Sequence, residues 1–307
     1  MTRWSICTTV KAPTDQVLAF VAHHLDLGAD EIWLYFDDPD DVAASVAEKI
    51  NRVKVTRCDA TYWSGFRWGR PKSHQNRQGQ NARRSYCLTT APWLCHIDVD
   101  EFIVPQIAVS SVLDATAADT ILIRMAPWEA LFDPSVAEDV FTARYFRSAL
   151  KGAVHMEDRA KVFGKFAFLM PTGMLSHAVG KCFFRVGVED FNIRLHGADV
   201  KGERHNVPDF QQTLPLLHFH AQSKPEWLER LDFRLERGAY QHNLGLVTYL
   251  DVGGKSGRSA FYDEVQTATP AMLNHLRSLG ALIEVDLTLR AKIAAMLGDP
   301  SQQTKPA

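Results

Sequence analysis

The sequence is poor in cysteine and contains no long apolar run. Its five cysteines are odd in number and none forms a C-x-x-C pair, so neither a disulfide framework nor a zinc site is expected. No stretch of about 18 consecutive apolar residues occurs, so no membrane-spanning helix is expected. The apolar run at the N-terminus is too short for a signal peptide. Together these absences predict a cytoplasmic protein.

Neither sign of charge is in large excess, since the 307 residues carry a formal net charge of −2. The composition, 46% hydrophobic and 23% charged, is that of an ordinary globular protein. No general attraction to nucleic acid or to an anionic membrane follows from it. A glycine-rich loop is also missing after the first predicted strand, where the chain reads T-T-V-K-A-P-T.

The N-terminal part of the chain alternates between strand and helix patterns. Strands are predicted over Trp4–Val10, Glu31–Phe36 and Val53–Arg57, with helices over Val17–Leu27 and Val42–Ile50 between them. This order predicts an α/β fold with a parallel sheet and right-handed crossovers. Ligands of such sheets bind beyond the carboxyl ends of the strands. The segments expected at those ends are Thr8–Lys11, Asp37–Asp41 and Asp98–Glu101.

The remaining chain predicts one domain with an addition. Strands are expected over Ile121–Met125, Phe163–Leu169 and Lys181–Val186, and a short one over Leu216–His220. We expect an α/β domain with a mixed, mostly parallel sheet over residues 1–225. A helical C-terminal extension packed on it would cover residues 226–299, and a disordered tail would cover residues 300–307.

The stretch Trp93–Pro105 holds three carboxylates among apolar residues and reads as one buried strand. Strand alternation would put Asp98 and Asp100 on one face and Glu101 on the other. Two carboxylates on one face suit a hard divalent cation, Mn²⁺ or Mg²⁺. The alternative is a strand that ends in a solvated acidic turn. His218 and His220 share a face of their strand and could complete the metal site, or could be ordinary core histidines.

Residues 61–84 form a basic and aromatic stretch. No acidic residue occurs between Asp59 and Asp98, and the cations alternate with aromatic residues. This pattern predicts a mobile loop that closes over a polyanion. A solvated basic loop and a single-stranded nucleic-acid site are the alternatives. The cations are Arg67, Arg70, Lys72, Arg77, Arg83 and Arg84, and the aromatic residues are Tyr62, Trp63, Phe66 and Trp68.

At this point the sequence resembles a known family. The stretches F-V-A-H-H-L-D-L-G-A-D-E-I-W-L-Y-F-D-D, Q-N-A-R-R-S-Y-C-L and W-L-C-H-I-D-V-D-E-F-I-V-P are similar to those of family 2-type glycosyltransferases with a GT-A fold. The W-x₄-D-x-D-E-F signature is shared with family 92 enzymes, and L-L-H-F-H-A-Q-S-K-P-E-W is similar to a downstream segment of the family. The resemblance covers residues 4–225. It implies a nucleotide-sugar donor, a divalent metal on the D-x-D motif and an inverting mechanism.

The resemblance also implies roles for individual residues. Asp100 would bind the metal directly, and Asp98 would contact it through water or hold the donor. The residues expected to line the nucleotide pocket are Thr9, Lys11, Asp37, Asp38, Gln80 and Arg83. Asp37 or Asp38 would hydrogen-bond the base, although Asp38 or Asp41 could equally cap a helix. The turns after Lys11 and Asp37 depart from the family pattern, which leaves the base open.

An inverting transferase needs a carboxylate base near the acceptor hydroxyl. Glu129 ranks first because it follows an apolar strand beside Trp128, and Asp190 is the second choice. The other candidates are Asp133, Glu157, Asp158 and Glu189. Lys181 and Arg185, on one face of their strand, would either touch phosphate or be solvated.

The function expected from these features is transfer of a hexose from a nucleotide sugar, most simply a UDP-sugar, to a hydroxyl of a glycan or lipid. The alternatives are a nucleotidyltransferase on a similar fold, which would need a glycine-rich phosphate loop, and a nucleic-acid-binding protein that uses residues 61–84. The near-neutral charge argues against nucleic acid as a partner. We also expect the aromatic residues of this stretch to meet the acceptor and to dock weakly on the inner face of an anionic membrane. The oligomeric state is left open.

Overall fold

The computed structural model describes residues 1–205, 207–236, 238 and 240–299. In chain order the strands are β1 (Ser5–Val10), β2 (Glu31–Phe36), β3 (Val53–Arg57), β4 (Trp93–His96), β5 (Glu101–Ile103), β6 (Leu122–Met125), β7 (Pro127–Ala130), β8 (Tyr145–Arg147), β9 (Lys181–Arg185), β10 (Phe191–Arg194), β11 (Gly197–Val200), β12 (Glu203–His205), β13 (Leu216–His218) and β14 (Leu282–Glu284).

The α-helices are α1 (Thr14–Asp26), α2 (Val42–Ala47), α3 (Ala60–Ser64), α4 (His74–Leu88), α5 (Val109–Asp114), α6 (Met156–Phe163), α7 (Lys224–Glu229), α8 (Leu231–Glu236), α9 (Leu244–Val252), α10 (Gly254–Gln266), α11 (Pro270–Ser278) and α12 (Leu289–Gly298). Residues Ala153–His155 and Gly164–Leu169 form 3-10 helices. The tail predicted to be disordered, residues 300–307, lies outside the described residues.

The chain forms two compact units. Unit 1 contains Met1–Ala126, Gly180–Leu216 and the segment that starts at Thr288, and unit 2 contains Pro127–Val179 and Leu217–Leu287. The chain therefore passes from unit 1 to unit 2 and back twice, and this division differs from the single boundary expected at residue 225. Helix α12, expected in the C-terminal extension, belongs to unit 1 and packs on α1.

Unit 1 is built on a six-stranded sheet in the order β3-β2-β1-β4-β9-β6. Strands β1, β2, β3 and β4 run parallel to one another, whereas β9 runs antiparallel to both β4 and β6. This arrangement confirms the predicted α/β fold with a mixed, mostly parallel sheet. The carboxyl ends of β1, β2, β3 and β4 consequently lie at one edge of the sheet, which is called the carboxyl edge below.

The first helices of unit 1 follow from their sequences. Helix α1 buries Val17, Phe20 and Val21, and Gly28 ends it with a φ of 89° that a side chain would disfavour. The Asp41 side chain accepts a hydrogen bond from the Ala43 backbone N–H at 2.9 Å and caps α2. The acidic turn after β2 therefore does cap a helix, as the sequence predicted. Strands β10, β11 and β12 form a small antiparallel sheet in the same unit.

Three predicted elements differ in the structure. Trp93–Pro105 is not one strand, because a turn separates β4 from β5, and the Glu101 backbone N–H donates to the Asp98 carbonyl across it at 3.0 Å. Strand alternation consequently does not describe the acidic residues. Phe163–Leu169 is helical, since the buried residues recur every three positions. Residues 61–84 fold largely into α3 and α4 and leave only 65–73 irregular.

Unit 2 combines a small sheet with helices. Strands β14, β8 and β7 pair in that order, antiparallel throughout. Its core is rich in aromatic residues, and Phe163, Trp227 and Phe261 are fully buried there. In the part of the chain that is described, no helix combines the length and apolarity needed to cross a bilayer.

Candidate functional site

A cleft of about 690 Å³ lies beyond the carboxyl ends of β1, β2 and β3. Lys11 follows β1, Asp37 and Asp38 follow β2, and Asp59 follows β3 at its lining. This is the edge at which ligands of α/β sheets bind. The turns after β1 and β2, which the sequence placed at this edge, therefore meet in one cleft together with Asp59, which the sequence did not indicate.

Asp37 lies in this cleft between two arginines. Arg77 binds it through two hydrogen bonds, Nε to Oδ1 at 2.7 Å and Nη2 to Oδ2 at 2.9 Å. The Arg70 Nη2 adds a third contact to Oδ1 at 2.9 Å. Only 11% of the Arg77 side chain is exposed, against 48% for Arg70. Arg77 is therefore the structural partner of Asp37, while Arg70 faces the cleft.

Asp38 is the more accessible of the two acids after β2. It is exposed, and its Oδ1 accepts the backbone N–H of Asp40 at 3.0 Å. Of the two residues predicted to bind the base, Asp38 is thus better placed to meet a ligand, because Asp37 is already bound by two guanidinium groups.

Asp98 lies in the turn between β4 and β5 and is held by two side chains. The Gln78 amide donates to Oδ1 at 2.6 Å, and the Lys181 ammonium lies 2.6 Å from Oδ2. Glu101 closes the turn, since its Oε2 accepts the backbone N–H of Asp98 at 2.8 Å and lies 3.4 Å from the Lys181 nitrogen. Burial disfavours the charge on Lys181, but attraction to Asp98 and Glu101 outweighs it and raises the pKa of the ammonium.

Helix α4 connects the cleft to the Asp98 turn. Its consecutive residues Arg77 and Gln78 bind Asp37 and Asp98, respectively. One turn further on, the Asn81 amide donates to the Thr9 hydroxyl at 2.9 Å. The face of α4 that carries these side chains is directed at the carboxyl edge and fixes both acids there.

The Asp98 turn is anchored on its apolar side by Phe102. The Phe102 ring packs against the rings of Phe20, His23 and His24, with centroid distances of 5.2 to 6.3 Å. His23 Nε2 is 2.7 Å from the carbonyl oxygen of Ile103. His23 and His24 of α1 therefore position the turn together with Glu101 and Phe102. Both sequence motifs thus have a structural role.

The chemistry of a metal site at this turn can be judged from its donors. Asp98 and Asp100 offer hard carboxylate oxygens in a half-buried turn, which fits Mn²⁺ or Mg²⁺. The Lys181 ammonium already neutralises Asp98, so a cation bound directly to that carboxylate would be repelled. The residues therefore fit a site in which Asp100 binds the ion and Asp98 acts through water or through the donor.

His96, at the end of β4, is a functional candidate that the sequence did not indicate. It is 1% exposed, and neither ring nitrogen has a hydrogen-bond partner among the described residues. Burial lowers its pKa to about 3, so the ring is neutral at physiological pH. Its only sequence signal is its place two residues before Asp98. Gln78 and Asn81 were also missed, and Arg77 was predicted only as a cation of a loop, because α4 has few apolar residues from which to read its buried face.

Gln80 and Arg83, predicted to face the nucleotide, line a different cleft on the other side of α4. Arg185 is also away from the Asp98 turn. Its Nε donates to the carbonyl of Thr120 at 2.7 Å, and its guanidinium lies 4.4 Å from the Trp93 ring centroid. Arg185 therefore packs against Trp93, and Lys181 is buried in an ion pair with Asp98 rather than solvated.

The two residues chosen as catalytic base are not placed like bases. Glu129 is 0% exposed and accepts hydrogen bonds from Arg147 at 2.5 Å and from the backbone N–H groups of Leu175 and Ser176. Asp190 follows β9, whose last residue pairs with Trp93 at the edge opposite Asp98. A fully buried carboxylate with both oxygens engaged does not reach an acceptor hydroxyl, and Asp190 lies at the end of the sheet opposite Asp98.

The remaining base candidates also show no catalytic arrangement. Asp158, in unit 2, binds His155 at 2.9 Å and His275 at 3.0 Å, and these hydrogen bonds lower its pKa. Asp133 Oδ1 accepts from the backbone N–H and hydroxyl of Ser135. Glu157 and Glu189 are exposed.

His218 and His220 belong to unit 2 and lie together, with ring centroids 5.3 Å apart. His220 Nε2 is 3.1 Å from the Tyr240 hydroxyl, which also accepts the Trp227 indole N–H at 2.8 Å. Burial, followed by the charge of Arg234, lowers the pKa of His220 well below its usual value. The contribution of either histidine to a metal site stays a prediction.

Comparisons with known proteins add little to this geometry. No protein-family model and no curated protein matches the chain. Among solved structures, HddC from Yersinia pseudotuberculosis is 10% identical over 46% of this chain and 67% of its own, with a TM-score of 0.29. S. aureus TarS 1-349 is 11% identical over 90% and 72%, with a TM-score of 0.31. The mannosyltransferase Ktr4p from S. cerevisiae is 11% identical over 43% and 40%, with a TM-score of 0.24. No conclusion about function follows from similarities at this level.

Proposed function

We propose that this chain is a metal-dependent, inverting glycosyltransferase that moves a hexose from a UDP-type donor to a hydroxyl of a glycan or lipid. One observation carries the proposal: adjacent residues of α4, Arg77 and Gln78, hold Asp37 and Asp98 at one sheet edge. A ligand-sized cleft and an acidic turn with metal-type donors thereby lie side by side. A nucleotide sugar needs both a pocket for its nucleoside and a counter-charge for its diphosphate.

The roles of the residues follow from their exposure and charge. Asp38 would accept hydrogen bonds from the base, and Lys11 and Arg70, both exposed in the cleft, would meet the diphosphate. Asp100 would hold the ion, and Asp98, oriented by Lys181, would act through water or the donor sugar. When bound, the ion supplies neutralisation of the charge that builds on the leaving nucleoside diphosphate. Neither Glu129 nor Asp190 is placed as a base, so the proposal assigns none.

The rival functions fit the fold less well. The loop between β1 and α1 consists of Lys11, Ala12 and Pro13 and offers no glycine to cradle a triphosphate, as a nucleotidyltransferase would need. The stretch proposed to bind nucleic acid is mostly helical, and its Arg77 is taken by Asp37. These points argue against both rivals.

Contact with a membrane is less well supported by the burial of the aromatic side chains than by the sequence pattern. Of the four aromatic residues expected in an exposed loop, Trp63 is 2% exposed and packs with Tyr62 and Phe66. Only Trp68 stands clear of the surface, at 82% exposure. A peripheral contact of the protein with the inner face of a membrane stays a prediction that rests on this single indole.

The proposal is tested by a hydrolysis screen. Purified protein is incubated with UDP-, GDP- and dTDP-sugars and Mn²⁺, and release of the nucleoside diphosphate is measured. We expect slow hydrolysis of a UDP-sugar that EDTA abolishes. Release of pyrophosphate from a nucleoside triphosphate and a sugar phosphate would instead identify a nucleotidyltransferase. Absence of any nucleotide turnover, with salt-dependent binding of an oligonucleotide, would overturn the proposal in favour of nucleic-acid binding.

A further inference from the structure

A second cleft, of about 670 Å³, lies in unit 1 on the opposite face of α4. Its lining includes three arginines, Arg67, Arg83 and Arg194, and three side-chain amides. Of the described residues that line it, none is acidic. The exposed Trp68 lies at its rim. The cleft therefore combines positive charge, neutral hydrogen-bonding groups and one aromatic face.

Helix geometry separates this cleft from the nucleotide cleft. Successive residues of an α-helix turn by about 100°, so Gln80 points about 200° away from Gln78, which binds Asp98. Gly69, with a φ of 62°, lines both clefts. The irregular segment 65–73 is thus the ridge between them, and a ligand in the second cleft lies beside the donor site rather than in it.

Arg83 is the best-placed anion ligand in the second cleft. Its Nε is buried and has no hydrogen-bond partner among the described residues. By contrast, Asp199 binds Arg194 through the Nε at 2.6 Å. Burial and the neighbouring Arg194 lower the pKa of Arg83, and the opposing attraction of Asp199 does not outweigh them. A bound anion would supply the missing hydrogen-bond acceptor and counter-charge.

Trp68 and Gly79 make the cleft suitable for a sugar ring. The Arg67 guanidinium lies 4.7 Å from the Trp68 ring centroid, which steadies an indole that is otherwise exposed. An exposed aromatic face can pack against the apolar face of a pyranose. At Gly79 a Cβ atom would meet nothing within 4 Å, so the wall of the cleft is open at this point of the helix.

We infer that the second cleft binds an acidic carbohydrate, a sugar that carries a carboxylate or a phosphate, as a remote part of the acceptor. The role of this ligand as an acceptor rests on the proposed glycosyltransferase function, whereas its binding to the cleft does not. The anionic group would contact Arg83, with Arg67 and Arg194 adding charge, and the ring would stack on Trp68. The neutral amides of α4, including Gln80, would bind hydroxyl groups.

The test is calorimetric titration of the whole chain with four probes: tetragalacturonate, mannose 6-phosphate, inorganic phosphate and neutral maltotetraose. We expect one or both acidic sugars to bind, with affinity that falls as salt rises, and maltotetraose not to bind. Which acidic sugar binds more tightly distinguishes a carboxylate ligand from a phosphate ligand. Binding of inorganic phosphate as tight as that of mannose 6-phosphate would overturn the carbohydrate part of the inference. Failure of both acidic sugars to bind would overturn it entirely.

Variants locate the binding. Gly79→Leu fills the cleft from a helical position where leucine is also the better helix former, and it should weaken acidic-sugar binding at least tenfold. Gly79→Ala adds one methyl group and is the matched control, expected to bind almost as well as the parent. Arg83→Gln should weaken binding at least tenfold, and Trp68→Ala severalfold. Arg3→Gln, an exposed arginine paired with Asp30, controls for net charge. Unchanged binding by Gly79→Leu and Arg83→Gln would place the ligand elsewhere.

A parallel titration with UDP and Mn²⁺ separates this inference from the proposed function. Gly79→Leu should bind UDP like the parent, because Gly79 lines only the second cleft. If acidic sugars bind while UDP does not, the donor proposal fails and the second cleft stands. If UDP binds and both acidic sugars fail, the inference fails and the donor proposal stands.

Discussion

Two carboxylate–cation pairs, one in each unit, show what distinguishes a site from a structural contact. In unit 1 Asp98 binds Lys181 at 2.6 Å, and in unit 2 Glu129 binds Arg147 at 2.5 Å. The cation is buried in both. The carboxylates differ: 29% of the Asp98 side chain is exposed, whereas Glu129 and Arg147 have no exposed surface.

The surroundings of the two acids explain the difference. Glu129 accepts from Arg147 and from two backbone N–H groups, and Arg147 also donates to the Gln266 side chain and the Val265 carbonyl. This network engages both Glu129 oxygens, and no ligand can bind them without breaking it. Asp98 is held on one side by Gln78 and Lys181 and remains open to solvent on the other. A carboxylate that binds a ligand must be oriented by its neighbours and still be accessible from solvent.

The contrast between the two pairs is tested most directly by a substitution in the acidic turn. Asp100→Ala removes the carboxylate assigned to the ion and should abolish transfer, by more than about 100-fold, with the melting temperature unchanged. EDTA added to the parent should have the same effect. Turnover is measured as release of the nucleoside diphosphate, and the fold is checked by circular dichroism. Full activity of Asp100→Ala, or of the parent in EDTA, would remove the metal role.

The opposite outcome is expected at Glu129. Glu129→Ala leaves Arg147 buried without its counter-charge and should cost about 3–5 kcal/mol of unfolding free energy. Glu129→Gln, which keeps the shape, should cost less. Both are measured by urea unfolding. Turnover per folded molecule should stay within a few-fold of the parent, because the side chain does not reach solvent. A loss of three orders of magnitude in turnover by well-folded Glu129→Gln would restore Glu129 as the catalytic base.

The same contrast explains which features the sequence predicted. Each of β1, α1, β2, α2 and β3 can be recognised from the spacing of apolar residues within its own segment. The predicted order of these elements is confirmed. The partners of Asp98 are not local: Lys181 comes 83 residues later. The sequence could place Lys181 on a strand but could not pair that strand antiparallel to β4.

The buried face of α4 shows a second limit. The family pattern pointed to Gln80 and Arg83, whereas Gln78 and Asn81 meet the carboxyl edge. A helix with few apolar residues gives no strong period, so the rotation about its axis is fixed only by tertiary contacts such as Arg77 with Asp37. The Asp98 turn was predicted as strand because apolar residues flank it on both sides. Only the backbone hydrogen bonds across the turn reveal the break.

The stability contributed by the two pairs should also depend on pH in opposite directions. Burial alone would raise the pKa of Glu129, but Arg147 and the two backbone N–H groups together outweigh it and the pKa is lowered. Its contribution to stability is therefore complete above about pH 4.3 and is lost as the pH falls through the folded-state value. The pKa of Lys181 is raised, so its contribution is complete below about pH 10.4 and is lost as the pH rises beyond that.

Melting temperatures measured across the pH range test this. Relative to the parent, Glu129→Gln should flatten the acid limb of the stability profile and leave the alkaline limb unchanged. Lys181→Met should flatten the alkaline limb. Parallel profiles for parent and variants at both ends would show that neither pair is linked to protonation in this way.

The smallest effect is expected at the two arginines that share Asp37, which repeat the contrast within one cleft. Arg70→Gln removes a half-exposed partner and should change the unfolding free energy by less than about 1 kcal/mol. Arg77→Gln removes the buried bidentate partner and should cost more. Because Arg70 is half-exposed at this contact, we expect segment 65–73 to open in the absence of donor and to close when a diphosphate draws Arg70 toward it.

Limited trypsin digestion measures that movement, since Arg67 and Lys72 offer cleavage sites within the segment, whereas Pro71 protects the bond after Arg70. The free protein should be cut there, and UDP with Mn²⁺ should slow the cut severalfold. In Arg70→Gln both sites should be cut at a similar rate with and without UDP, because the residue that couples the segment to the diphosphate is gone. Digestion of the parent that is indifferent to UDP, although UDP binds by calorimetry, would show that this segment is a fixed ridge between the two clefts rather than a lid.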